Sequence, residues 1–247
     1  EKLDADPNGD FDIPSLRVGI FGSETFSDEL RRRIESRLHI ECFDIYGMTE
    51  TGGIGTTGQD CKAHNGIHVW EDQYITEIID PVTGEVVPDG EYGEVVFTSL
   101  TREAMPIIRY RTRDISRILS REKCACGRTS VKMGRIMGRS DDMLIIRGIN
   151  VFPSQVESVI LTMPEFEPQY MLVVDRVNNL DTLQVQVEVR RDFFSDDLGR
   201  MLAMKKALAD KLKSVLSISA DVKLMEPGSI ERSQGKSKHV IDNRKLV

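Results

Sequence analysis

The sequence predicts two domains in succession, an α/β portion followed by a smaller α+β domain. Near the start, an apolar run, an amphipathic helix and a second apolar run follow one another, which is typical of a parallel βαβ unit. The middle of the chain contains alternating apolar segments that favour strands. After about residue 140 the predicted order becomes β-α-β-β-α-β, as in a sheet with helices on one face. We therefore expect domains at 1–139 and 140–247.

The first βαβ unit follows from three short segments. Residues 16–21 (LRVGIF) predict a buried strand, and residues 39–46 (HIECFDIY) predict a second one. Ser27 is placed to cap the helix between them. Ligands gather at the carboxyl ends of such strands, so residues after 46 are candidates for a site. The apolar side chains of the helix recur on one face: Leu30, Ile34 and Leu38.

The middle of the chain reads as β structure. Residues 68–80 and 90–100 predict strands separated by a turn, and residues 105–119 predict a strand pair or a strand and a turn. No strand is predicted for the glycine-rich residues 51–58.

The smaller domain begins with a hairpin at residues 143–151 and a helix that starts at Pro153. Antiparallel strands are expected near 170–177 and 183–191, and a last strand at 218–225. Between them lies a long amphipathic helix, residues 195–216. We expect five of its side chains to face inward: Leu198, Met201, Leu202, Leu208 and Leu212.

Composition excludes several classes of protein. The chain has 247 residues, of which 40% are hydrophobic, which is enough for a globular core. Its net charge of −7 argues against a nucleic-acid partner. No apolar run approaches the roughly 20 residues of a membrane span, so we expect no membrane partner. The four cysteines do not resemble a secreted disulfide framework, which favours a cytoplasmic protein. A homodimer is compatible with the sequence, although no feature proves it.

Four motifs occur in a fixed order: YGMTE (46–50), RYRTRD (109–114), GRSDDMLIIRGINVFPSQVE (138–157) and GSIERSQGKSKHVIDNR (228–244). Together they resemble the later motifs of the adenylate-forming superfamily, and the second and third resemble its phenylacetate–CoA ligase branch. Where most of the superfamily has glycine, the second motif has Arg113. The resemblance implies the C-terminal portion of the large domain, followed by a small lid domain.

The phosphate loop of this superfamily is absent from the sequence. The nearest stretch, residues 51–58 (TGGIGTTG), follows the Thr-Glu motif and lacks lysine. We therefore expect this chain to be the C-terminal part of a longer enzyme and to be inactive alone.

The resemblance implies ATP-dependent activation of an aryl carboxylic acid, phenylacetate or a relative, to an acyl-adenylate. Transfer to coenzyme A then gives the aryl-CoA, AMP and pyrophosphate. ATP, Mg²⁺ and coenzyme A are the implied ligands. Two alternatives stay open: an adenylating enzyme with a different acceptor, and a folded binding module without catalysis.

The first two motifs supply most of the implied nucleotide site. Thr49 would bond a phosphate oxygen and Glu50 would hold Mg²⁺, with Tyr46 and Gly47 along the adenine and acyl pocket. The alternative for Thr49 and Glu50 is a polar surface loop. Asp114 would accept both ribose hydroxyls; the alternative is a solvated ion pair with Arg111 or Arg113.

Other implied residues lie outside these motifs or at the domain junction. Ser23 and Glu24 follow the first strand and would line the nucleotide and acyl site. Arg139 would reach ribose or phosphate, and Asp141 matches the hinge of the small domain. Gly148 would line the coenzyme A path, although a hairpin glycine is an equal alternative.

The implied catalytic lysine is Lys236, which would bridge the acyl carboxylate and the α-phosphate. Its ammonium would offset charge on the phosphorus in the transition state. Lys238 is the competitor in sequence, and the preceding Gly235 favours Lys236.

Three cysteines suggest a structural Zn²⁺ site. Cys124 and Cys126 are too close for an ordinary local disulfide but suit one metal, and Cys61 could join them. Spacing alone prefers His64 as the fourth ligand, whereas the pattern of the branch prefers His68. We therefore take His68 as the fourth ligand. The alternative is that the four residues are unrelated and bind no metal. The remaining cysteine, Cys42, is expected in the core.

Overall fold

A computed structural model describes residues 13–23, 26–178, 180–195, 197–232 and 239–244. The chain divides into two compact units, Glu1–Asp141 and Asp142–Val247. The division falls two residues after the expected boundary.

The first unit opens with the predicted βαβ arrangement. Strand β1 (Val18–Phe21) and strand β2 (Glu41–Met48) pair in parallel, and helix α1 (Asp28–Leu38) connects them. The Ser27 hydroxyl accepts a hydrogen bond from the backbone N–H of Leu30, so the predicted cap is confirmed. The predicted face of α1 packs around Cys42 and two further buried residues. These helix residues are Leu30, Ile34 and Leu38.

The glycine-rich run after β2 forms a strand, which the sequence analysis missed. A 3₁₀ turn (Thr49–Thr51) follows β2, and the chain then returns antiparallel to it as β3 (Gly53–Gln59). A Cβ at Gly47 would collide with the carbonyl oxygen of Gly53. That glycine is therefore required by close backbone approach, which propensity scales do not register.

The remaining strands of the first unit confirm the predicted β-rich region. In the described residues they complete a six-stranded sheet and a four-stranded sheet. Tyr74, Phe97 and Met133 lie in the core of this region. The new strands are β4 (Ile67–Val69), β5 (Tyr74–Ile79), β6 (Gly93–Ser99), β7 (Tyr110–Ser116), β8 (Ile118–Ser120), β9 (Lys132–Met133) and β10 (Gly138–Arg139). The two sheets are ordered β1-β2-β3-β4-β9-β8 and β10-β7-β6-β5.

The second unit is a four-stranded sheet with two helices and a hairpin, counted over the described part of the chain. The hairpin and both predicted antiparallel strands are confirmed. A final strand was missed, because only three residues pair there. The elements are β11 (Leu144–Ile146), β12 (Ile149–Val151), α2 (Pro153–Leu161), β13 (Phe166–Val177), β14 (Leu180–Val189), α3 (Leu198–Leu216), β15 (Asp221–Met225) and β16 (Val240–Asp242), with the sheet ordered β15-β14-β13-β16.

The inward face predicted for α3 is partly wrong. Leu208 and Leu212 are fully buried as expected, but Leu198 is 72% exposed and Leu202 is 56% exposed. Leu202 precedes Leu208 by six residues, about 240° around the helix axis, so it points away from the buried stripe. The buried stripe follows a spacing of four: Met204, Leu208, Leu212 and Leu216.

No helix among the described residues is both long enough and apolar enough to cross a membrane.

Candidate active site and metal centre

The Thr49–Glu50 pair is held in place by the buried residue that follows it. The Thr51 hydroxyl donates to the carbonyl oxygen of Met48 at 2.9 Å and accepts from the N–H of Met48 at 3.1 Å. The Tyr74 hydroxyl donates to the carbonyl oxygen of Thr51 at 2.5 Å. Thr49 and Glu50 themselves are exposed. The turn therefore presents a hydroxyl and a carboxylate on a fixed backbone.

Tyr46 and Asp114 form the most direct link between two motifs that are 68 residues apart. The Tyr46 hydroxyl donates to Oδ2 of Asp114 at 2.5 Å. Burial raises the pKa of Tyr46 well above its usual value, and the Asp114 charge raises it further. Arg139 lies opposite Asp114 in the β10–β7 pairing, with Nη1 3.8 Å from Oδ1. Three sequence motifs thus meet at one carboxylate.

Two further side chains, Tyr110 and Arg102, contact Glu50, and neither was expected from the sequence. Burial raises the pKa of Tyr110, and the Glu50 carboxylate, which accepts a hydrogen bond from it, raises it further. Arg102 donates to the carbonyl oxygen of Glu50. Tyr110 lies inside the RYRTRD motif and could have been noticed there, whereas nothing in the sequence distinguishes Arg102.

Asp141 is bound by two arginines of its own unit. Arg139 makes a two-point contact, Nε to Oδ1 at 2.9 Å and Nη2 to Oδ2 at 3.0 Å. Nη1 of Arg113 lies 3.7 Å from Oδ2. The hydrogen bonds from Arg139 lower the pKa of Asp141, which therefore stays ionised. Arg113 has φ of 66°, in the left-handed region, which agrees with glycine being usual at this position in the superfamily.

Gly148 has a conformational reason to be glycine. It follows Arg147 in the two-residue turn between β11 and β12, and the two residues have φ of 79° and 51° respectively. Two consecutive positive values define the type I′ turn that joins strands most tightly. The hairpin role therefore accounts for this glycine, and its proposed contact with coenzyme A stays a prediction.

The remaining predicted nucleotide and catalytic residues are only partly described. Ser23 is exposed after β1 with φ of 72°. Glu24, Gly235, Lys236 and Lys238 lie outside the described residues.

The four predicted metal ligands lie together. The ligand atoms of Cys61, His68, Cys124 and Cys126 all lie within 4.8 Å of one another. Sγ of Cys61 is 3.9 Å from Sγ of Cys124, and Sγ of Cys126 is 3.5 Å from Nε2 of His68. Thiolates bound tetrahedrally to one zinc ion at 2.3 Å lie about 3.8 Å apart. The spacing fits a shared ion and is far too long for a disulfide.

Neighbouring groups favour a deprotonated Cys126 and a neutral His68 at this cluster, whereas burial raises the pKa of Cys61 to about 11. Nζ of Lys132 lies 3.6 Å from Sγ of Cys124. A hydrogen bond from the backbone of Arg128 lowers the pKa of Cys126 to about 7, and burial lowers that of His68. Nδ1 of His68 lies 3.3 Å from the carbonyl oxygen of Ser130, which leaves Nε2 toward the thiols.

His64 has a different partner. Its Nδ1 lies 2.9 Å from Oδ2 of Asp60, and Asp60 also accepts from the N–H of Cys61 at 2.6 Å. His64 therefore supports the loop that carries Cys61 and is not grouped with the sulfur atoms.

The carboxyl group of Asp44 is buried close to the loop that carries Cys61, and its contribution to the free energy of unfolding can be tested. Asp44 is 8% exposed, and burial raises its pKa to about 7 despite nearby Arg135. A carboxyl group whose folded pKa is raised stabilises the protein below its unfolded pKa, and this contribution is lost as pH rises through 7.

Asp44→Asn is therefore expected to increase the free energy of unfolding at pH 8, by up to roughly 4 kcal/mol. The gain should shrink at pH 5, where Asp44 is already protonated in the folded state. Urea unfolding of both proteins at each pH measures this difference. An equal difference at pH 5 and pH 8 would contradict the assignment.

Two family models and several proteins of known structure match this chain. Residues 2–101 match the family model for AMP-binding enzymes, and residues 148–244 match the model for the C-terminal domain of AMP-binding enzymes. A crystal structure of 2-hydroxyisobutyryl-CoA ligase, in the postadenylation state with 2-HIB-AMP, covers 93% of this chain with a TM-score of 0.83 and 28% identity. The match spans 49% of that protein. The predicted fold class is confirmed.

Two curated relatives are more similar in sequence. The phenylacetate–coenzyme A ligase of Aromatoleum evansii is 46% identical over 99% of this chain, and that of Escherichia coli (strain K12) is 43% identical over 100%. The chain belongs to the adenylate-forming AMP-binding enzymes, in the branch of the phenylacetate–CoA ligases. It spans about half the length of these relatives, 54% and 56% respectively.

Proposed function

We propose that this chain is the C-terminal part of a ligase that activates an aryl carboxylic acid with ATP and transfers it to coenzyme A. The observation that carries the proposal is the convergence of three motifs at Asp114, where Tyr46 and Arg139 meet one carboxylate. The two oxygens of a carboxylate offer about four lone-pair sites, so a carboxylate can accept both hydroxyls of a ribose. The short hydrogen bond from Tyr46 would fix the orientation of the Asp114 carboxylate, so that its oxygens are positioned to accept the two ribose hydroxyls.

The phosphate end of the nucleotide is assigned to the Thr49–Glu50 turn. The Thr49 hydroxyl would donate to a phosphate oxygen, and Glu50 would bind the Mg²⁺ that neutralises phosphate charge. Arg102 and Tyr110 would hold the backbone and carboxylate of Glu50. Gly47 would lie along the adenine and acyl pocket, and Ser23 and Glu24 would line the same site.

The junction and the C-terminal region supply the remaining roles. Asp141 would act as the hinge, Gly148 would lie on the coenzyme A path, and Lys236 would stabilise charge during adenylation. Phenylacetate is the first acid to test because it is named in both relatives.

The Cys61–His68–Cys124–Cys126 cluster is assigned to a structural Zn²⁺. Four protein ligands leave no open position for substrate, so the ion would join two loops and take no part in the reaction.

The proposal is tested with the full-length protein that contains this chain. ATP, Mg²⁺, coenzyme A and phenylacetate are expected to give equal amounts of phenylacetyl-CoA and AMP, measured by mass spectrometry and chromatography. A panel of aryl acids gives the preference. AMP formation without need of coenzyme A would indicate a different acceptor. No AMP with any acid would contradict the ligase assignment.

Asp114→Asn is expected to lower kcat/KM for ATP by about a hundredfold, because the amide keeps the size of the carboxylate but loses its charge and one acceptor. ATP titrations at saturating acid and coenzyme A measure the effect. The control is Asp89→Asn, which removes an exposed carboxylate paired with Arg121 in the same unit and is expected to leave kcat/KM unchanged. Equal values for the two variants would exclude Asp114 from the nucleotide site.

A further inference from the structure

Glu188 is a fully buried carboxylate, although it lies on the face of its sheet that does not pack against the core of the second unit. In β14, Val185, Val187 and Val189 are fully buried in the core of the second unit. Side chains alternate between the faces of a strand, so Glu188 points to the opposite face. Gln186, on that same face, is only partly buried, whereas Glu188 is 0% exposed. Another segment must therefore cover it.

That segment is residues 226–232, which follow β15. The backbone N–H of Gly228 donates to Oε2 of Glu188 at 3.1 Å, and the N–H of Ile230 donates to Oε1 at 2.6 Å. Arg232 adds a two-point contact, Nη1 to Oε1 at 3.0 Å and Nη2 to Oε2 at 2.8 Å. One carboxylate thus receives four hydrogen bonds, two from a backbone and two from a guanidinium group.

These contacts select an ionised glutamate. Burial raises the pKa of Glu188, but the hydrogen bonds from Arg232, Ile230 and Gly228 outweigh it and leave the pKa below its usual value. All four partners are donors, so a glutamine here would turn its NH₂ group toward two of them. Gly228 has φ of 80°, which a larger side chain rarely adopts. The four hydrogen bonds to Glu188 therefore depend on both its ionised carboxylate and the left-handed backbone at Gly228.

The chain that continues beyond Arg232 is attached to the second unit again at His239. The ring of His239 stacks on Tyr170 with centroids 4.2 Å apart, and β16 pairs in parallel with β13 directly after it. Lys236, which the proposed function assigns to adenylation, lies in the sequence between these two attachments. Its distance from Arg232 is four residues.

We propose that Glu188 is a positioning residue for adenylation: by binding residues 228–232, it sets where the chain departs toward Lys236. Glu188 acts through its neighbours and contacts no reacting atom. The role of Lys236 rests on the proposed function, but the anchoring of residues 228–232 does not.

The first experiment measures the anchor itself in the full-length protein. In Glu188→Gln, amide hydrogen exchange at Gly228 and Ile230 is expected to accelerate by at least about tenfold, because charge-assisted hydrogen bonds are lost. Exchange in β13 should stay within about twofold, which shows that the unit remains folded. Unchanged exchange at Gly228 and Ile230 would overturn the proposal whether or not the protein is a ligase.

The second experiment separates the two half-reactions. Glu188→Gln is expected to lower acyl-adenylate formation from acid and ATP by at least about tenfold, while conversion of preformed acyl-adenylate to the thioester changes less than about threefold. A merely structural role would lower both equally, and that result would overturn the proposal.

Two further variants sharpen the comparison. Arg232→Lys retains the charge but not the two-point contact, so it should fall between wild type and Arg232→Ala in the rate of adenylation. Asp221→Asn removes an exposed carboxylate that pairs with Lys205 in the same unit and should behave as wild type. Loss of adenylation in Asp221→Asn, equal to that in Glu188→Gln, would overturn the proposal because it would show general sensitivity of this sheet.

Discussion

Cys124→Ser is expected to release zinc from the protein and to destabilise the first unit strongly. Cys124 and Cys126 belong to one loop, and Cys61 and His68 flank another, so a shared ion would join segments about 60 residues apart in sequence. A structural zinc contributes on the order of 10 kcal/mol. Serine is a poor zinc ligand, and the loss would be comparable with the whole stability of a typical domain.

The measurement combines metal content with thermal unfolding. Wild-type protein should carry one zinc ion per chain and lose both the ion and its stability with a chelator. Cys42→Ala is the matched control, because Cys42 is fully buried in the core near α1 and lies outside the cluster. It should keep zinc and lose only a modest part of its stability. Wild-type protein without zinc, or Cys124→Ser with a full complement, would contradict the assignment.

Lys236→Ala is expected to stop acyl-adenylate formation while leaving the second half-reaction nearly unchanged. In the first step of the proposed reaction the acid's carboxylate would attack the α-phosphorus of ATP and displace pyrophosphate, so two negatively charged groups would have to approach each other. An ammonium group between the two partners offsets that charge, and its removal should lower the rate by about a thousandfold or more. In the proposed second step the thiol of coenzyme A would attack a neutral acyl carbon and displace AMP, which would not require this lysine.

Lys238→Ala provides the matched control, since it removes the same charge two residues away. It is expected to form acyl-adenylate at nearly the rate of wild type, and both variants should convert preformed phenylacetyl-adenylate to phenylacetyl-CoA. If Lys238→Ala loses adenylation instead, the lysine assignment is wrong. If Lys236→Ala loses both half-reactions equally, the lysine has another role.

Local sequence signals predicted much of the fold. Ser27 and the apolar face of α1 predicted that helix, and Pro153 predicted the start of α2. The failures have physical causes. Strand β3 depends on glycines that permit close backbone contact, and β16 is a three-residue strand that pairs across the chain with β13. Neither signal is visible in a short window of sequence.

The candidate site was likewise predicted only in part. Tyr46, Asp114 and Arg139 were expected from motifs, and the structure brings them to one point. Glu188 was not expected, because a glutamate in an alternating strand predicts an exposed position. Its burial comes from a segment 40 residues later in the chain. Spacing alone favoured His64, whereas the pattern of the branch favoured His68, and His68 is the histidine whose ring nitrogen lies with the three sulfur atoms.

The most direct test of the central claim is exchange of labelled pyrophosphate into ATP by the full-length protein, without coenzyme A. Reversible formation of an acyl-adenylate predicts label in ATP only when phenylacetate, or another accepted aryl acid, is present. Exchange that is absent with every acid, together with ATP cleavage to ADP and phosphate, would contradict it.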